Sequence, residues 1–339
     1  MTLHDGISII GVGHFLPLAV QNNDELCQKL SVTPEWIIEK TGIKRRRIAG
    51  PGDLASEYSL RAATQAICMA GLSPDAIDLT IVCTFSADYI FPSMASKLHR
   101  DLHATGGQTF DLQANCAGFV SGLTAASDRM KLDRSVRHAL VVGAEFNTRY
   151  VNQSDSNTAI YLSDGAGAVV LGRTEAGSGV GSSAFFTDSS NYDSVRVRYG
   201  GSSFRRFESS PSPEVEFMEI NGIATWKQAI THLPRVIRQA CEKSNVSPKD
   251  VDLIILHQAN LRLIEYIMQK MGYPMSRTFT NVQEIGNTGA ASVAIALSEA
   301  VSMGHLKPGD VLVLAAVGAG FNFGASVWRW TLPKRDEAL

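Results

Sequence analysis

Cys116 stands where a strand pattern gives way to a helix of small residues. A short run of strand-forming residues ends at Leu112, and the cysteine is followed by Ala117 and Gly118, which leave room for a substrate to approach. A thiol at a helix N-terminus feels the partial positive charge of unpaired backbone N–H groups, which lowers its pKa and favours the thiolate. The position therefore predicts a nucleophile, with a buried structural cysteine as the alternative.

Two polar residues in the second half of the chain occupy similar turns. His257 ends the apolar run Leu253–Leu256, and side chains at the carboxyl ends of strands are well placed to meet ligands in parallel α/β sheets. Asn287 lies in a glycine-rich turn that leads into another helix of small residues. A hydrogen-bonded structural histidine and an asparagine helix cap are the ordinary alternatives. A further glycine-rich turn, residues 317–321, follows a buried strand, and its backbone N–H groups could face a developing oxyanion.

The elements that must position these residues recur along the chain. Residues 72–82 resemble residues 246–256, because each segment follows a long helical pattern, contains a Ser-Pro turn and continues as an apolar strand. Cys116 and Asn287 are then each followed by a small-residue helix and another strand, at nearly the same offset. Alternating strands and helices predict an α/β fold with mostly parallel sheets. We therefore predict two duplicated halves, residues 1–176 with the cysteine and residues 177–339 with the histidine and asparagine.

Composition argues against several classes of protein. The chain has 31 Lys and Arg against 33 Asp and Glu, so there is no electrostatic case for nucleic-acid binding. The short basic run 44–47 is expected to be a solvated face, with local anion binding as the alternative. The five cysteines form no Cys-x-x-Cys pair, which argues against a disulfide framework and a structural zinc site. No apolar stretch approaches the roughly 20 residues of a membrane span, and the opening residues lack the basic start of a secretory signal, so we expect a cytoplasmic protein.

Taken in order, the motifs resemble those of the 3-oxoacyl-[acyl-carrier-protein] synthase III family. The matches span nearly the whole chain, and the Cys, His, Asn triplet separates this family from elongating synthases, which look like Cys, His, His. The resemblance implies a thiolase fold layered α-β-α-β-α, and a decarboxylating Claisen condensation of an acyl thioester with a malonyl thioester. The matching motifs are Gly11-Val12-Gly13 with Leu16-Pro17, Glu35-Trp36-Ile37, Thr41-Gly42-Ile43, Cys116-Ala117-Gly118-Phe119, Asp164-Gly165-Ala166-Gly167-Ala168, His257-Gln258-Ala259-Asn260 and Gly286-Asn287-Thr288.

The resemblance also implies a role for individual residues. Cys116 takes the acyl group, the backbone N–H groups of Cys116 and Ala319 form the oxyanion hole, and His257 and Asn287 donate hydrogen bonds to the malonyl thioester oxygen. No metal or redox cofactor is implied, since coenzyme A or phosphopantetheine thioesters are the substrates. Phe91 is implied to reach across a homodimer interface to the partner's acyl pocket. The implied substrate-binding residues are Trp36, Phe91, Gly222, Trp226, Lys227 and Asn260, and those implied to dock an acyl carrier protein are Arg262 and Lys270.

The chain departs from the family pattern at several positions. Ser156 stands where the family usually has an Arg that helps to clamp the coenzyme A adenine, and Lys40 replaces another Arg. A carrier-bound donor and a rearranged clamp are both open. Gly289 replaces the usual Ser after Asn-Thr, and Asn115 replaces a small residue before the cysteine. Residues 191–213 form a long irregular excursion whose arginines could recognise a polar acyl group: Arg196, Arg198, Arg205 and Arg206.

Three other functions stay open on the sequence alone. A specialised-metabolism relative would condense or transfer acyl groups onto another nucleophile, because function resides in sites more than in folds. A catalytically silent subunit of a heteromeric synthase is disfavoured by the intact Cys116, His257 and Asn287. A thioesterase would need a path for water to an acyl-cysteine.

Overall fold

The computed structural model describes residues 6–175, 177–202 and 213–332. Its strands are β1 (Ile7–Phe15), β2 (Val20–Asn22), β3 (Arg45–Arg47), β4 (Leu79–Cys83), β5 (Gln108–Leu112), β6 (His138–Phe146), β7 (Asp164–Arg173), β8 (Gly179–Thr187), β9 (Val195–Val197), β10 (Met218–Ile220), β11 (Leu253–Leu256), β12 (Val311–Gly318) and β13 (Asn322–Arg329). Its α-helices are α1 (Asn23–Cys27), α2 (Pro34–Thr41), α3 (Ala55–Met69), α4 (Met94–Asp101), α5 (Gly118–Leu132), α6 (Gly222–Lys243), α7 (Leu261–Met271), α8 (Val282–Ile285) and α9 (Ser292–Ser302).

The main sheet has mixed strand directions and shows the internal repeat. Its order in the part of the chain that the structure describes is β5-β4-β6-β7-β1-β8-β13-β12-β11. In the first half β4 is parallel to β5 and β6, and β7 is antiparallel to β6 and β1. In the second half β11 is parallel to β12, and β13 is antiparallel to β12 and β8. A parallel bridge between Ile254 and Thr278 takes the place that β5 has in the first half, so the predicted duplication is confirmed in the topology.

Helices cover both faces of each half of the sheet. Helices α3 and α4 pack on the outer side of the first half, and α6 and α7 pack on the outer side of the second. Between the halves, α5 contacts β4 and β6 on one side and β12 and β13 on the other, while α9 contacts β1, β7 and β11. The layers therefore follow the order α-β-α-β-α, as the family resemblance implies.

Local sequence explains why these elements form. Strands β4 and β11 are buried at every residue, as expected of parallel strands with helices on both faces. The residues after α3 and α6 adopt the left-handed conformation that was expected there, Gly71 with φ +67° and Asn245 with φ +50°. Glycines in the strands let the central helices approach closely, since a Cβ at Gly167 would lie 2.6 Å from the Cβ of Ala294 on α9.

The two halves share a hydrophobic core in the central layer. One cluster of buried side chains joins Ile81 of β4, Leu123 of α5, Leu297 of α9 and Leu312 of β12. The edges of the two half-sheets meet in a single residue pair, Ile7 with Gly179. The division into residues 1–176 and 177–339 stays a prediction, and the shared core means that each half buries its central helix against the other.

Within the described ranges, no helix has the length and apolar character that crossing a bilayer requires. The same ranges contain no cluster of three or more His, Cys, Asp or Glu side chains arranged to hold a metal ion.

Candidate active site

Cys116 lies in the connection between β5 and α5, where the sequence predicted it. A single 3₁₀ turn, Asn115–Ala117, precedes the helix, and the cysteine side chain is partly exposed. Strand β12 backs directly onto this turn, because a Cβ at Gly318 would lie 2.3 Å from the carbonyl oxygen of Ala114 and 3.2 Å from the amide nitrogen of Cys116. Only glycine fits at position 318, and its small size brings the second half of the chain against the predicted nucleophile.

The expected low pKa of the cysteine is wrong. Burial, and to a smaller degree the Glu145 carboxylate in the alkaline range where it is ionised, raise the pKa of the Cys116 thiol to about 12. The α-helix itself begins at Gly118, two residues after the cysteine, so the thiol lies outside the helix proper. The loss of hydration caused by neighbours distant in sequence outweighs the backbone hydrogen bond at Cys116, which lowers the pKa.

Glu145 is a fully buried carboxyl close to this site. It lies on β6 and has hydrogen bonds with the hydroxyl of Ser86 at 2.5 Å, the hydroxyl of Thr84 at 3.4 Å and the backbone N–H of Phe85 at 3.2 Å. Burial raises the pKa of Glu145 to about 8 in spite of these bonds. At pH 7 the carboxyl is therefore mostly protonated, and most molecules carry no negative charge beside Cys116.

His257 is a buried, neutral imidazole with a fixed partner. Its backbone N–H donates to the carbonyl of Ala315 at 2.8 Å, which places the side chain at the end of β11 beside β12. Its Nδ1 lies 2.7 Å from the hydroxyl of Ser292, and the same hydroxyl accepts the N–H of Gln258 at 3.2 Å. Nδ1 is the only hydrogen-bond acceptor near the Ser292 hydroxyl in the described ranges, so the hydroxyl proton is assigned to Nδ1, which leaves the ring proton on Nε2. Burial lowers the pKa of His257 to about 4, so the ring is neutral at pH 7.

Asn287 is fixed by backbone contacts from the first half of the chain. Its N–H donates to the carbonyl of Tyr161 at 2.9 Å, and its carbonyl accepts the N–H of Ser163 at 2.9 Å and the side-chain amide of Asn147 at 3.1 Å. The side-chain oxygen of Asn287 accepts the N–H of Gly289 at 2.9 Å. That bond fixes the orientation of the carboxamide. Its NH₂ group donates to no residue in the described ranges, so it is available to a substrate.

The segments that carry the three side chains meet at the centre of the fold. The turn Asn115–Ala117 packs against the turn Gly289–Ala291 that follows Asn287, and also against β12, which is hydrogen-bonded to the backbone of His257. A Cβ at Gly118 would lie 3.7 Å from the Cβ of Ala290. The proximity expected from the duplication is therefore present in the backbone, and the role of each side chain stays a prediction.

Ala319, the second predicted oxyanion-hole residue, lies in the turn between β12 and β13. Its carbonyl accepts the side-chain amide of Asn115 at 3.0 Å and, more weakly, that of Asn322 at 3.5 Å. The glycine-rich turn is thereby tied to the residue that immediately precedes Cys116.

The predicted substrate-binding residues lie on several elements around this centre. Trp36 lies on α2 and is 39% exposed, and Phe91 lies in the loop after β4 and is 82% exposed. Gly222 is the first residue of α6, and the ring of Trp226 on the same helix lies 5.6 Å from that of Tyr266. Lys227 borders a separate cavity of about 360 Å³, and Asn260 is the N-cap of α7, with its side chain accepting the N–H of Leu263 at 2.9 Å.

The two residues implied to dock a carrier protein make internal contacts. The guanidinium of Arg262 donates to the carbonyls of Ile38 and Glu39 at the end of α2 and pairs with Glu265 at 2.9 Å. The ammonium of Lys270 donates to the carbonyl of Ile230 at 2.8 Å. Both side chains therefore fasten neighbouring helices together, and their contact with a carrier stays a prediction.

The basic segments differ from their expected environments. Arg46 is fully buried and donates to the side chain of Asn23 at 2.9 Å and to the carbonyl of Ile160 at 2.7 Å, so a solvated face is the wrong description for it. In the excursion, Arg196 pairs with Asp193 at 2.6 Å and with Glu219 at 2.9 Å, and Arg198 pairs with the same Glu219 at 2.7 Å, so two carboxylates already balance these two cations. The remaining two predicted arginines, Arg205 and Arg206, lie outside the described residues.

Sequence reasoning missed three residues that shape the site: Ser292, Glu145 and Asn147. Ser292 opens α9, and its position at the start of a small-residue helix was the one local signal that could have indicated it. Glu145 and Asn147 lie at the end of β6 and just beyond it, at the carboxyl end where polar side chains gather in parallel sheets. Their partners lie far away in the chain, so no local pattern indicates the contacts.

The layered fold and the meeting of a cysteine, a histidine and an asparagine turn define a thiolase-fold condensing enzyme. Residues 110–189 match the family model for 3-oxoacyl-[acyl-carrier-protein (ACP)] synthase III, and residues 241–330 match the model for its C-terminal part. The beta-ketoacyl-[acyl-carrier-protein] synthase III of Cereibacter sphaeroides is 40% identical over 94% of this chain and 98% of its own length. That of Paramagnetospirillum magneticum is 37% identical over 95% and 98%. The chain belongs to the 3-oxoacyl-[acyl-carrier-protein] synthase III family.

Solved structures agree with this assignment. The 3-oxoacyl-[acyl-carrier-protein] synthase III of Aquifex aeolicus superposes with a TM-score of 0.88 at 34% identity, covering 96% of this chain and all of its own. The priming β-ketosynthase of the R1128 polyketide pathway superposes with a TM-score of 0.89 at 28% identity, covering 98% of each chain. The thiolase fold is therefore confirmed, and the protein is an acyltransferase of the condensing class.

Proposed function

We propose that this enzyme condenses an acyl thioester, carried by coenzyme A or an acyl carrier protein, with a malonyl thioester. The product is a 3-oxoacyl thioester, and the intermediate is an acyl group on Cys116. The observation that carries the proposal is the packing of the Cys116 turn against the turn after Asn287 and against β12, which is hydrogen-bonded to the backbone of His257. A nucleophile beside donors for a developing enolate is what a two-step condensation requires.

The first step is transfer of the acyl group to the cysteine. The Cys116 thiolate attacks the thioester carbonyl, and the new oxyanion is held by the backbone N–H groups of Cys116 and Ala319. As the tetrahedral intermediate collapses, the bond to the carrier sulfur breaks and the carrier leaves as a thiol after taking up a proton. Because the pKa of the thiol is raised, only a small fraction is thiolate at pH 7, and that thiolate is a strong nucleophile.

The second step is decarboxylation of the malonyl thioester. Its thioester oxygen accepts hydrogen bonds from Nε2–H of His257 and from the amide of Asn287, and carbon dioxide leaves with formation of the enolate. Both donors are uncharged, so neither needs a counter-ion in the buried site. The enolate carbon then attacks the acyl-cysteine, the carbon–sulfur bond breaks, and the Cys116 thiolate is released.

The partners of the enzyme follow from its surface and its family. We propose an acyl carrier protein as one substrate carrier, with Arg262 and Lys270 contributing positive charge to the docking face. The tip of the loop after β4 exposes Tyr89, Ile90 and Phe91 at 60%, 83% and 82%, which supports a homodimer that covers this apolar tip. The scheme requires no cofactor beyond the coenzyme A or phosphopantetheine group of the thioester substrates. We propose a cytoplasmic location, because those substrates are found there.

An acylation assay with mass spectrometry tests the proposal. The purified enzyme is incubated with a panel of acyl-coenzyme A and acyl-carrier donors, and a mass increase equal to the acyl group is expected on Cys116. Malonyl-carrier should then discharge the adduct as a 3-oxoacyl thioester with one equivalent of carbon dioxide. The Cys116→Ser variant should accumulate no stable thioester adduct. No adduct with any donor, or an adduct on another residue, would show that the proposed function is wrong.

A second function within the same fold is favoured by two observations. Ser156 stands where the family clamp has an Arg, and the neighbouring priming β-ketosynthase belongs to a polyketide pathway. These favour an enzyme that accepts a carrier-bound donor, or that passes the acyl group to a hydroxyl or amine. Release of the adduct by such an acceptor, without carbon dioxide formation, would identify this activity.

A further inference from the structure

Asn115 has an unusual backbone conformation directly before the nucleophile. Its φ is +49°, in the left-handed region that non-glycine residues seldom occupy and that Asn tolerates better than most. Its side-chain amide donates to the carbonyl of Ala319 at 3.0 Å, and the two residues are 204 positions apart. The conformation and the long-range bond occur together at a position where the family usually has a small residue.

The bond joins the two turns that supply the proposed oxyanion hole. Cys116 follows Asn115, and the second proposed donor is the N–H of Ala319 itself. The carbonyl and the N–H of Ala319 lie in adjacent peptide planes that are joined at its Cα, so fixing the carbonyl leaves fewer combinations of φ and ψ through which the N–H can turn. The lack of a side chain at Gly318 lets the two turns lie close together, but it sets no orientation. The only other side chain on the Ala319 carbonyl in the described ranges is Asn322, at the longer distance of 3.5 Å.

We propose that Asn115 is a positioning residue of the oxyanion hole. Its carboxamide holds the Ala319 turn against the nucleophile turn, so that the N–H groups of Cys116 and Ala319 point at one thioester oxygen. The inference rests on the proposed function, because it assumes that both N–H groups bind an oxyanion. Asn115 itself touches no reacting atom.

Two reactions of the same sulfur separate positioning from general damage to the site. Acylation by a thioester passes through a tetrahedral oxyanion and needs both N–H groups. Alkylation by iodoacetamide forms an S–C bond while the C–I bond breaks and iodide leaves, so no oxyanion forms. A defect in the oxyanion hole therefore lowers the acylation rate and spares alkylation. A collapsed turn, or a change in the pKa of the thiol, instead alters the acylation rate and the alkylation rate in the same direction.

The test uses Asn115→Asp and Asn115→Gly. Both residue types tolerate a positive φ, and neither can donate a side-chain hydrogen bond to a carbonyl in its ordinary state. Asn245 offers a matched control, because it is exposed, has φ +50°, and contacts neither turn of the site. Asn245→Asp and Asn245→Gly therefore repeat the same chemical change on the same backbone conformation.

We expect the rate of Cys116 acylation to fall about tenfold in Asn115→Gly, the effect of one hydrogen bond. The acylation rate should fall further in Asn115→Asp, because the new carboxylate adds a negative charge beside the oxyanion. Iodoacetamide alkylation should stay within about twofold of the wild-type rate in Asn115→Gly. In Asn115→Asp it should also fall, because the added carboxylate raises the pKa of the thiol, but by less than acylation falls. The Asn245 variants should match the wild type in both reactions. An unchanged ratio of acylation to alkylation in the Asn115 variants overturns the inference alone. Absence of acylation in the wild type overturns the proposed function and the inference with it.

Discussion

Replacing Ser292 by alanine tests the assignment of the ring proton of His257. The hydroxyl of Ser292 bonds Nδ1 of His257 at 2.7 Å and accepts the N–H of Gln258 at 3.2 Å, and all three residues are buried. Removing it leaves a ring nitrogen and a backbone N–H without their partner, and the neutral ring is free to carry its proton on either nitrogen. A buried hydrogen-bonding group left unpaired costs about 1–3 kcal/mol, which corresponds to a rate loss of about 5- to 150-fold where the group acts.

The loss should fall on decarboxylation and not on acylation, because the role proposed for His257 lies only in the second step. The assay compares carbon dioxide release from malonyl-carrier on pre-acylated enzyme with the rate of Cys116 acylation in a single turnover. Ser298→Ala is the matched control, since Ser298 lies on the same helix and bonds Nδ1 of His14 at 2.9 Å. An equal loss in both steps for Ser292→Ala, or the same loss in Ser298→Ala, would refute the assigned tautomer and its role.

Three further predictions follow from the buried groups. The rate of Cys116 alkylation by iodoacetamide should rise with pH up to at least pH 9 without levelling off, because the thiol pKa is raised to about 12; a plateau near pH 7 would contradict this. Glu145 has its pKa raised to about 8 by burial, so the folded chain holds a proton that the unfolded chain has released, and stability should fall as pH rises from about 5 to 8. Urea unfolding should show this decline in the wild type and a flatter profile in Glu145→Gln. Gly289→Ala should destabilise the fold by about 1–3 kcal/mol, since its φ is +56° and the added Cβ would lie 2.9 Å from Cγ of Glu145; an unchanged urea midpoint would contradict the clash.

Features that depend on neighbouring residues could be predicted from the sequence. The turn at Cys116 follows from strand-forming residues that give way to small helix-forming ones. Helices α3 and α6 end just before Gly71 and Asn245, the residue types that best tolerate the left-handed conformation. The two-half architecture follows from repeated patterns at one offset. Each of these inferences needed only the residues of one segment, or the comparison of two segments.

Features that depend on three-dimensional packing could not be predicted in the same way. The position of Cys116 near a helix terminus predicts a low pKa from neighbouring residues alone. Burial by other elements raises the pKa instead, and that burial is not visible in the local sequence. The burial of Arg46 between Asn23 and the carbonyl of Ile160 depends on segments 23 and 114 positions away. Ser292 and His257 are likewise 35 positions apart. In each case the environment is set by residues that no local pattern relates to the side chain.

The placement of the site between the halves explains why the chain needs both of them. The predicted nucleophile lies in the first half and the two predicted donors lie in the second, so neither half alone contains the proposed constellation. Polar contacts fix the two sets relative to each other: Ser163 and Asn147 hold the backbone of Asn287, and Asn115 holds Ala319. The apolar core of the central layer stabilises the association of the halves, but such packing tolerates small shifts more readily than hydrogen bonds with defined directions do. A site that must aim backbone and side-chain N–H groups at one oxygen therefore depends on these polar contacts for its geometry, and on the core for its stability.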